Sequence, residues 1–296
     1  MTQTCAMNGR PLCRHPLDAA AQIPFDMSLM SKIFIFGLGF SAMTLARRLM
    51  ADGWQVAGSV RSPEKASSLR DEGVDAVVFD GTAPGRDVAE ALDGADHVAV
   101  SIPPGEAGDP VLRHHRADLA ARAGDIRWLG YLSTLGVYGN HDGAWIDETA
   151  PTDPVSPRNA RRVVAEQDWL AFGEETGIPV MLFRIAGIYG SGRNALVKVK
   201  AGEARRLVKP GQVFNRIHVA DIAGVLEASI KRPRAGGIYN LSDDEPGPPQ
   251  DVIAYAAELL GVEPPPEIPF ETANISPMAR SFYSANRRAR NGRIRQ

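Results

Sequence analysis

The chain has very little cysteine and no long hydrophobic run. Of its 296 residues only Cys5 and Cys13 are cysteines, so the rest of the chain can form neither a disulfide framework nor a thiolate metal site. His15 lies nearby, but three candidate ligands in one short polar segment are a weak basis for zinc, and we predict no metal. No stretch of about 20 apolar residues occurs, and residues 1–29 lack the apolar core of a signal peptide. We therefore expect a cytoplasmic protein that does not bind membranes. Residues 1–29 are expected to be a disordered extension or to precede the true start at Met30.

The chain also lacks an excess of charge of either sign. Its 33 Lys and Arg against 35 Asp and Glu give a net charge of −2, which gives no reason to expect a nucleic-acid partner. Residues 279–296 are the exception, because they contain six arginines and no acid, so the remainder stands at 27 − 35 = −8. Such a basic tail either binds anions or forms a solvated helix face.

Short β-branched runs alternate with helical patterns from Lys32 onward. The segments between the runs carry apolar residues at a spacing near 3.6. Such alternation is typical of α/β proteins with a Rossmann-type, doubly wound parallel sheet. The predicted strands are 32–36, 55–60, 76–79, 97–101, 128–133 and 180–185. The predicted helices are 41–52, 63–72, 87–92, 111–123 and 157–176.

The alternation loosens after Ile185. A further helix is predicted from about Asp221, a strand near "GGIYNL", and a helix capped by Asp251 and ending at Leu260. We predict that residues 30–187 and 217–242 form the sheet domain. Residues 188–216 and 243–296 are then expected to form a smaller substrate lobe.

A glycine-rich turn follows the first predicted strand in "KIFIFGLGFSAMTLARRL" (32–49). Gly37, Gly39 and Ala42 spell G-x-G-x-x-A between a strand and a helix. The first glycine permits a tight turn, the second lets a pyrophosphate approach the backbone, and the third small residue lets helix and strand pack closely. Free N–H groups at the helix start, including that of Phe40, then face the phosphates. The pattern predicts a dinucleotide site; the alternative is a plain strand-to-helix turn.

The end of the second predicted strand indicates which dinucleotide binds. An NAD site would place an acid about 20 residues beyond the glycines, to hold the ribose 2′-hydroxyl. This chain has Arg61 and Ser62 there instead, with Lys65 nearby. A cation can pair with a 2′-phosphate, which favours NADP over NAD. The alternative is a surface arginine on a loop.

Two later strand ends complete the predicted cofactor site. Asp80 and Gly81 end the third predicted strand, where they can meet the adenine amino group. Ile102 and Pro103 follow the fourth predicted strand, where a loop would cover the middle of the cofactor.

The sequence resembles the short-chain dehydrogenase/reductase superfamily in its extended, epimerase/dehydratase-like branch. Within that branch it is most similar to an atypical, YeeZ-like bacterial group. The resemblance covers roughly residues 32–260, with a further motif, "SPMARSFYSANRRARNGRIR", near the C-terminus. It rests on the glycine turn and on "YLSTLGVYG" (131–139), "SPRNARRVVAEQ" (156–167), "FRIAGIYGSGRN" (183–194), "IHVADIA" (217–223) and "YNLSDDEP" (239–246).

The resemblance implies a Ser/Thr that binds the substrate oxygen and a Y-x-x-x-K pair that transfers the proton and holds the ribose. Thr134 matches the Ser/Thr position, but the Y-x-x-x-K register falls on Arg158 and Arg162. An arginine stays protonated, with a pKa above about 12, and cannot be the general acid. Arg162 can still hold the ribose, and Arg158 can bind an anionic substituent.

An altered proton donor and an anionic substrate follow as hypotheses. Tyr138, Tyr189 or His141 could supply the proton from a neighbouring loop, although a packing or surface role is simpler for each. Arg184 and Arg193 flank the presumed cleft and could bind a carboxylate or phosphate; the alternative for Arg184 is a tie between the sheet and a helix.

Two functions remain open from the sequence. The first is an NADP- or NAD-dependent oxidoreductase or epimerase acting on a small substrate, either anionic or a sugar nucleotide, with a homodimer allowed. The second is a non-catalytic dinucleotide-binding redox sensor or regulatory protein. Adjacent histidines at 114 and 115 face different ways on a helix, so we predict no metal pair there. The carboxylates in turn-rich segments are expected to be solvated: Asp147, Glu148, Asp243, Asp244 and Glu245.

Overall fold

The structure, a computed structural model, describes residues 31–296. The expectations for Cys5, Cys13, His15 and residues 1–29 therefore lie outside the described residues. The strands are β1 (Lys32–Phe36), β2 (Gln55–Val60), β3 (Asp75–Val78), β4 (His97–Val100), β5 (Trp128–Thr134), β6 (Trp145–Ile146), β7 (Val180–Ile185), β8 (Gly187–Tyr189), β9 (Arg206–Val208), β10 (Arg216–His218), β11 (Ile238–Leu241), β12 (Glu267–Pro269) and β13 (Arg288–Ala289). The helices are α1 (Phe40–Ala51), α2 (Pro63–Asp71), α3 (Val88–Ala91), α4 (Pro110–Ala120), α5 (Pro157–Thr176), α6 (Ala195–Lys200), α7 (Val219–Lys231), α8 (Pro249–Leu259) and α9 (Pro277–Ser281), with 3-10 helices at Leu135–Tyr138 and Gly292–Arg295.

Seven strands form one sheet, in the order β3, β2, β1, β4, β5, β7 and β11. Each neighbouring pair is parallel. The chain runs outward from β1 in both directions, so the crevice between β1 and β4 is a topological switch point, where ligands bind at the carboxyl ends of the strands. The predicted Rossmann-type α/β fold is confirmed. The predicted bounds of β1, β2, β7 and α5 agree with the structure, and the others differ by one to three residues.

Apolar side chains alternate between the two faces of β1 and build a core on each side. Ile33 and Ile35 belong to a buried cluster that includes residues of α1 and α7. Phe34 and Phe36 belong to a second cluster that includes Trp169 of α5. A strand with both faces buried reads as an unbroken apolar run, which is the pattern of "KIFIF". The sheet is therefore covered on both sides, and its carboxyl edge stays available for a site.

Three small parallel sheets lie outside the large one and pair β8 with β10, β9 with β12, and β6 with β13. Two predicted helix starts need correction. The helix predicted from Asp221 begins at Val219, where His218 Nδ1 accepts a hydrogen bond from Ala220 N at 3.3 Å. Asp251 does not cap α8, because Pro248 occupies the cap position and the aspartate lies in the first turn. Across residues 31–296, no helix is both long and apolar enough to cross a membrane.

Candidate functional site

Gly37 makes a turn in which any side chain would be strained. Its φ is +89°, and a Cβ there would lie 2.8 Å from Cγ1 of Ile102. The turn is also tied to β2, because Gly37 N donates to Ser59 Oγ at 3.1 Å and Leu38 N donates to Ser59 O at 2.9 Å. The chain is thereby held so that it leaves β1 and enters α1 at once.

The start of α1 has no cap of its own. Gly39 stands at the cap position, no side chain accepts from the first-turn amides, and no acid lies in the first turn. A Cβ at Gly39 would meet nothing within 4 Å, and Ala42 is buried against the sheet. Unlike α1, six α-helices of the described chain are capped by a side chain. These side chains belong to Ser62, Asp109, Ser156, Asn194, His218 and Ser276. An open surface and uncapped amides at the positive end of a helix fit an anion such as a pyrophosphate.

Arg61 stands at the end of β2, next to the turn that follows β1. Its side chain is exposed and forms no ion pair with residues 31–296. Ser62 caps α2 by accepting from Lys65 N at 3.4 Å. Arg61 is therefore an exposed cation, at the end of β2, without an ion-pair partner in residues 31–296.

Asp80 and Gly81 form a tight turn after β3. Asp80 Oδ1 accepts from Thr82 N at 2.8 Å and from Thr82 Oγ1 at 2.7 Å, and these bonds hold the pKa of the Asp80 carboxyl below its usual value. Its Oδ2 accepts no hydrogen bond from the described chain. Ile102 is half-buried over Gly37, and Pro103 beyond it is exposed. These two segments follow β3 and β4, which lie on opposite sides of the β1–β2 pair in the sheet.

Arg162 lies along the end of β5. Its Nη1 donates to Leu132 O at 2.7 Å and to the Tyr131 hydroxyl at 3.1 Å. Thr134 ends β5 and caps the 3-10 helix, with its Oγ1 accepting from Gly136 N at 3.1 Å. Because Oγ1 is an acceptor in this bond, its own hydrogen can point to a ligand. Arg162 and Thr134 thus lie near each other at the carboxyl edge of the sheet.

Arg158 is exposed in the first turn of α5. Its guanidinium carbon lies 5.1 Å from the ring centroid of Phe282, which belongs to the C-terminal part of the chain. Arg158 therefore packs on Phe282, a contact that no sequence pattern indicated, since these residues lie more than 120 positions apart.

Arg184 is buried and pairs with a carboxylate of α5. It is 5% exposed and forms a two-pronged ion pair with buried Glu166, in which Nη2 lies 2.7 Å from Oε2 and Nε lies 3.2 Å from each carboxylate oxygen. The Ser133 hydroxyl donates to the same carboxylate. Nε and Nη2 of Arg184 both donate to Glu166, so the geometry favours the alternative in which Arg184 ties β7 to α5.

Arg193 remains at the cleft. Its guanidinium carbon lies 5.6 Å from the ring centroid of Phe40, the first residue of α1. Asn194 beside it caps α6 and donates to Gly190 O at 2.8 Å. The exposed Arg193 forms no ion pair within the described chain, so it can face an anion near the uncapped helix.

The three alternative proton donors differ in their surroundings. Tyr138 is buried and donates its hydroxyl hydrogen to Asn240 Oδ1 at 2.8 Å, and burial raises its pKa. His141 Nε2 lies 3.1 Å from the Tyr138 carbonyl oxygen. Tyr189 is half-buried, and burial followed by the nearby Asp243 carboxylate raises its pKa. The Tyr138 hydroxyl is fully buried, and a ring nitrogen of His141 is bound to the main chain. Neither restriction applies to Tyr189.

Two carboxylates expected to be solvated are not. Glu148 is buried, accepts from Asn240 N at 2.9 Å and lies 3.6 Å from Arg293 Nε. Asp243 is half-buried, and its pKa is raised, chiefly by burial. No group of three or more potential metal-ligating side chains occurs among residues 31–296.

The sequence also failed to place residues 283–291, here called the C-terminal strap, against the site. Asn286 O accepts from His141 N at 2.9 Å, and Arg287 Nη1 donates to Gly139 O at 2.6 Å. Asn215 Nδ2 donates to Arg287 O at 3.0 Å. The only sign in the sequence was the run of arginines without acids.

Comparison with known proteins agrees with this geometry. Residues 37–233 match the family model described as NAD(P)H-binding. Protein YeeZ of Escherichia coli K12 is 32% identical over 246 residues, which cover 80% of this chain and 86% of YeeZ.

Solved structures share the fold. A protein of unknown function from Silicibacter pomeroyi superposes with a TM-score of 0.82 and 49% identity, covering 90% of this chain and 91% of that one. A dTDP-glucose 4,6-dehydratase from Bacillus anthracis, in complex with NAD, has a TM-score of 0.68 and 16% identity, with 90% and 89% covered; at that identity the likeness shows the fold alone. The chain therefore belongs to the NAD(P)H-binding family, and it is a homologue of YeeZ.

Proposed function

We propose that this protein is an NADP-dependent oxidoreductase or epimerase that acts on a small anionic substrate with an altered proton donor. The observation that carries the proposal is the uncapped start of α1 beside the exposed cation of Arg61. Structures of the same fold hold NAD, among them the B. anthracis dehydratase and a UDP-glucuronic acid 4-epimerase from Bacillus cereus. Arg61 in place of an acid is the feature that favours NADP over NAD here.

The residues present fit a dinucleotide. The first-turn amides of α1 and Gly39 would hold the pyrophosphate, Arg61 and Ser62 the 2′-phosphate, and Asp80 and Gly81 the adenine. Ile102 and Pro103 would cover the middle of the cofactor. A bound nicotinamide would supply hydride transfer to or from the substrate carbon.

The protein side chains would orient the substrate and move the proton. The Thr134 hydroxyl, fixed as an acceptor from Gly136 N, donates its hydrogen to the substrate oxygen. Arg162, which is anchored on β5, holds the ribose, and Arg158 faces an anionic substituent. Arg158 cannot release a proton near neutral pH. We assign the proton donor to Tyr189, because it is only half-buried and its neighbour Gly190 lies beside the Phe40 ring at the start of α1, which a Cβ added at Gly190 would approach to 3.3 Å.

A second candidate function follows from the same arginine. Because Arg158 occupies the tyrosine position of the superfamily, a non-catalytic sensor of the NADP redox state would keep the dinucleotide site and lose the chemistry. A sensor is expected to bind the cofactor without turnover and to bind its protein partner differently with NADP⁺ and NADPH.

Absorbance at 340 nm separates the two candidates. Purified protein with NADPH or NADP⁺ is tested against sugar nucleotides, keto acids and aldehydes. The enzyme predicts turnover that is lost in Thr134→Ala and Tyr189→Phe and kept in Thr272→Ala, an exposed threonine far from the site in sequence. If the protein binds the cofactor but turns over none of the substrates in the panel, the result supports the sensor and contradicts the enzyme.

A further inference from the structure

We propose that Arg287 of the C-terminal strap forms a binding site for a carboxylate or phosphate group of the substrate. This inference rests on the proposed function, because it names the chemical class of substrate that the same cleft would take. It assigns the anion-binding role to a residue that the sequence patterns did not single out.

One edge of the Arg287 guanidinium has no partner. Nη1 donates to Gly139 O at 2.6 Å, whereas Nε is inaccessible to solvent and has no hydrogen-bond partner within residues 31–296. Nη2 makes no hydrogen bond with the described chain either. Nε and Nη2 form the side-on fork that binds a carboxylate or phosphate through two parallel hydrogen bonds. The unpartnered edge thus matches one class of ligand.

The charge of Arg287 is also not neutralised by the protein. No carboxylate of the described chain lies within 4.0 Å of it, in contrast to Arg184, whose charge is paired with Glu166. Burial without an acidic partner lowers the pKa of Arg287 to about 10. A buried, unpaired charge is destabilising, so a structural role alone would favour a neutral side chain here. An anion in this place would satisfy both the charge and the unused donors.

The position of Arg287 links it to the proposed chemistry. Gly139, to which it donates, directly follows the 3-10 helix that begins beside Thr134. The amide of Asn159, next to Arg158, packs over Gly136 of the same helix, 2.6 Å from where a Cβ would stand. Arg287 and the first turn of α5, which carries Arg158, therefore both contact the short segment that begins beside Thr134.

The strap is held rigidly enough to present Arg287. Asn215 binds the main chain on both sides of Arg288, with Nδ2 donating to Arg287 O at 3.0 Å and Oδ1 accepting from Ala289 N at 2.8 Å. Asn286 N donates to Asn140 Oδ1 at 2.8 Å, and its own Nδ2 donates to Gly211 O at 2.9 Å. A donor fixed before the ligand arrives loses less conformational entropy on binding.

The test measures thermal stabilisation of the full chain by malonate and by inorganic phosphate. Chloride at equal ionic strength is the reference, and saturating NADP⁺ keeps the anions off the start of α1. Wild type is expected to show a saturable rise in Tm with at least one of the two anions. Arg287→Gln is expected to raise the anion concentration for half-maximal effect at least tenfold.

Arg288→Gln is the matched control, because Arg288 lies in the same strap and its Nη1 also donates to a main-chain oxygen, that of Gly143. This variant is expected to respond as wild type does. Arg287→Lys, which keeps the charge but not the fork, is expected to respond between wild type and Arg287→Gln, and it serves as the informative variant if Arg287→Gln does not fold. An unchanged response in Arg287→Gln, or an equal loss in Arg288→Gln, overturns the inference.

Cofactor titrations on the same samples separate this inference from the proposed function. NADP⁺ binding without any response to malonate or phosphate overturns the anion site and leaves the proposed function standing. A response that depends on Arg287 without NADP⁺ binding supports the anion site and overturns the proposed function.

Discussion

Arg184 and Glu166 form a buried ion pair that joins β7 to α5, with 2.7 Å between Nη2 and Oε2. The Ser133 hydroxyl on β5 donates to the same carboxylate, so three elements of the core meet at one charge. The pair fixes the carboxyl end of β7 relative to the helix that carries Arg158 and Arg162. Its role is to position the site.

Arg184→Met is expected to leave Glu166 buried without its partner and to lower the free energy of unfolding by about 3–5 kcal/mol. Urea denaturation measures the change. Arg193→Met, which removes an exposed arginine near the same cleft, is expected to stay within about 0.5 kcal/mol of wild type. If Arg184→Met has normal stability but selectively loses substrate affinity, Arg184 binds the substrate and the structural role is contradicted.

Alanine substitutions at the two glycines of the turn are expected to have different effects on stability and on cofactor binding. Gly37→Ala places a Cβ at φ +89° and 2.8 Å from Ile102 Cγ1, and it should cost about 1–3 kcal/mol of stability. Gly39→Ala meets no protein atom and should cost less than about 1 kcal/mol. Its new methyl group occupies the approach of the pyrophosphate, so the Kd for NADP⁺ should rise at least tenfold. Denaturation and calorimetry on both variants check this, and unchanged NADP⁺ affinity in Gly39→Ala would contradict the site.

Arg61→Ala tests the choice of cofactor. The loss of one charge-assisted hydrogen bond to the 2′-phosphate should weaken NADPH binding by about 1–3 kcal/mol and leave NADH binding nearly unchanged. Quenching of protein fluorescence by each nucleotide provides the affinities. Lys65→Ala, a nearby exposed cation on α2, is the control and should have the smaller effect. Equal losses for both nucleotides in Arg61→Ala would reject the NADP assignment.

Asp109, which caps α4, provides a prediction of pH dependence. Its Oδ1 accepts from Val111 N at 2.9 Å and from Leu112 N at 3.1 Å, whereas Oδ2 is buried without a hydrogen-bond partner in the described chain. Burial raises its pKa above the ordinary 3.8. As the pH rises through 3.8 the unfolded chain ionises first, so this group contributes less stability at neutral than at acidic pH.

In Asp109→Asn this titration is absent, so the stability of the variant relative to wild type should increase from pH 4 to pH 7. Asp80→Asn is a control of opposite sign, because the Thr82 hydrogen bonds lower the pKa of Asp80 below 3.8; its stability relative to wild type should decrease as the pH rises towards and through 3.8, and stay nearly constant above about pH 5. Urea denaturation at several pH values measures both. Parallel pH profiles for Asp109→Asn and wild type would contradict the buried carboxylate.

The sheet could be predicted from the sequence because each strand and helix is indicated by a pattern within its own segment. A strand with both faces buried is a continuous apolar run, and the helices between the strands carry a 3.6-residue period. The glycine turn is equally local, and its backbone at Gly37 is the one that the motif requires. These features placed β1, β2, β7 and α5 with their observed bounds.

The rest of the site depends on contacts between distant segments. Whether Arg184 faces a ligand or Glu166 depends on the packing of β7 against α5, which no spacing in either segment reveals. Glu148 lies in a turn-rich segment but is buried, because Asn240 on β11 donates to it. The strap has no periodicity, and its contacts with Asn140, His141 and Asn215 arise only after the chain has folded back.

The central claim is that a dinucleotide binds with its diphosphate against the uncapped amides of α1. Isothermal titration calorimetry of folded protein with NADP⁺ tests it most directly. The claim predicts saturable heat with one site per chain, which is strongly weakened in Gly39→Ala while that variant keeps its fold. The absence of heat with either NADP⁺ or NAD⁺ at millimolar concentration would contradict the claim.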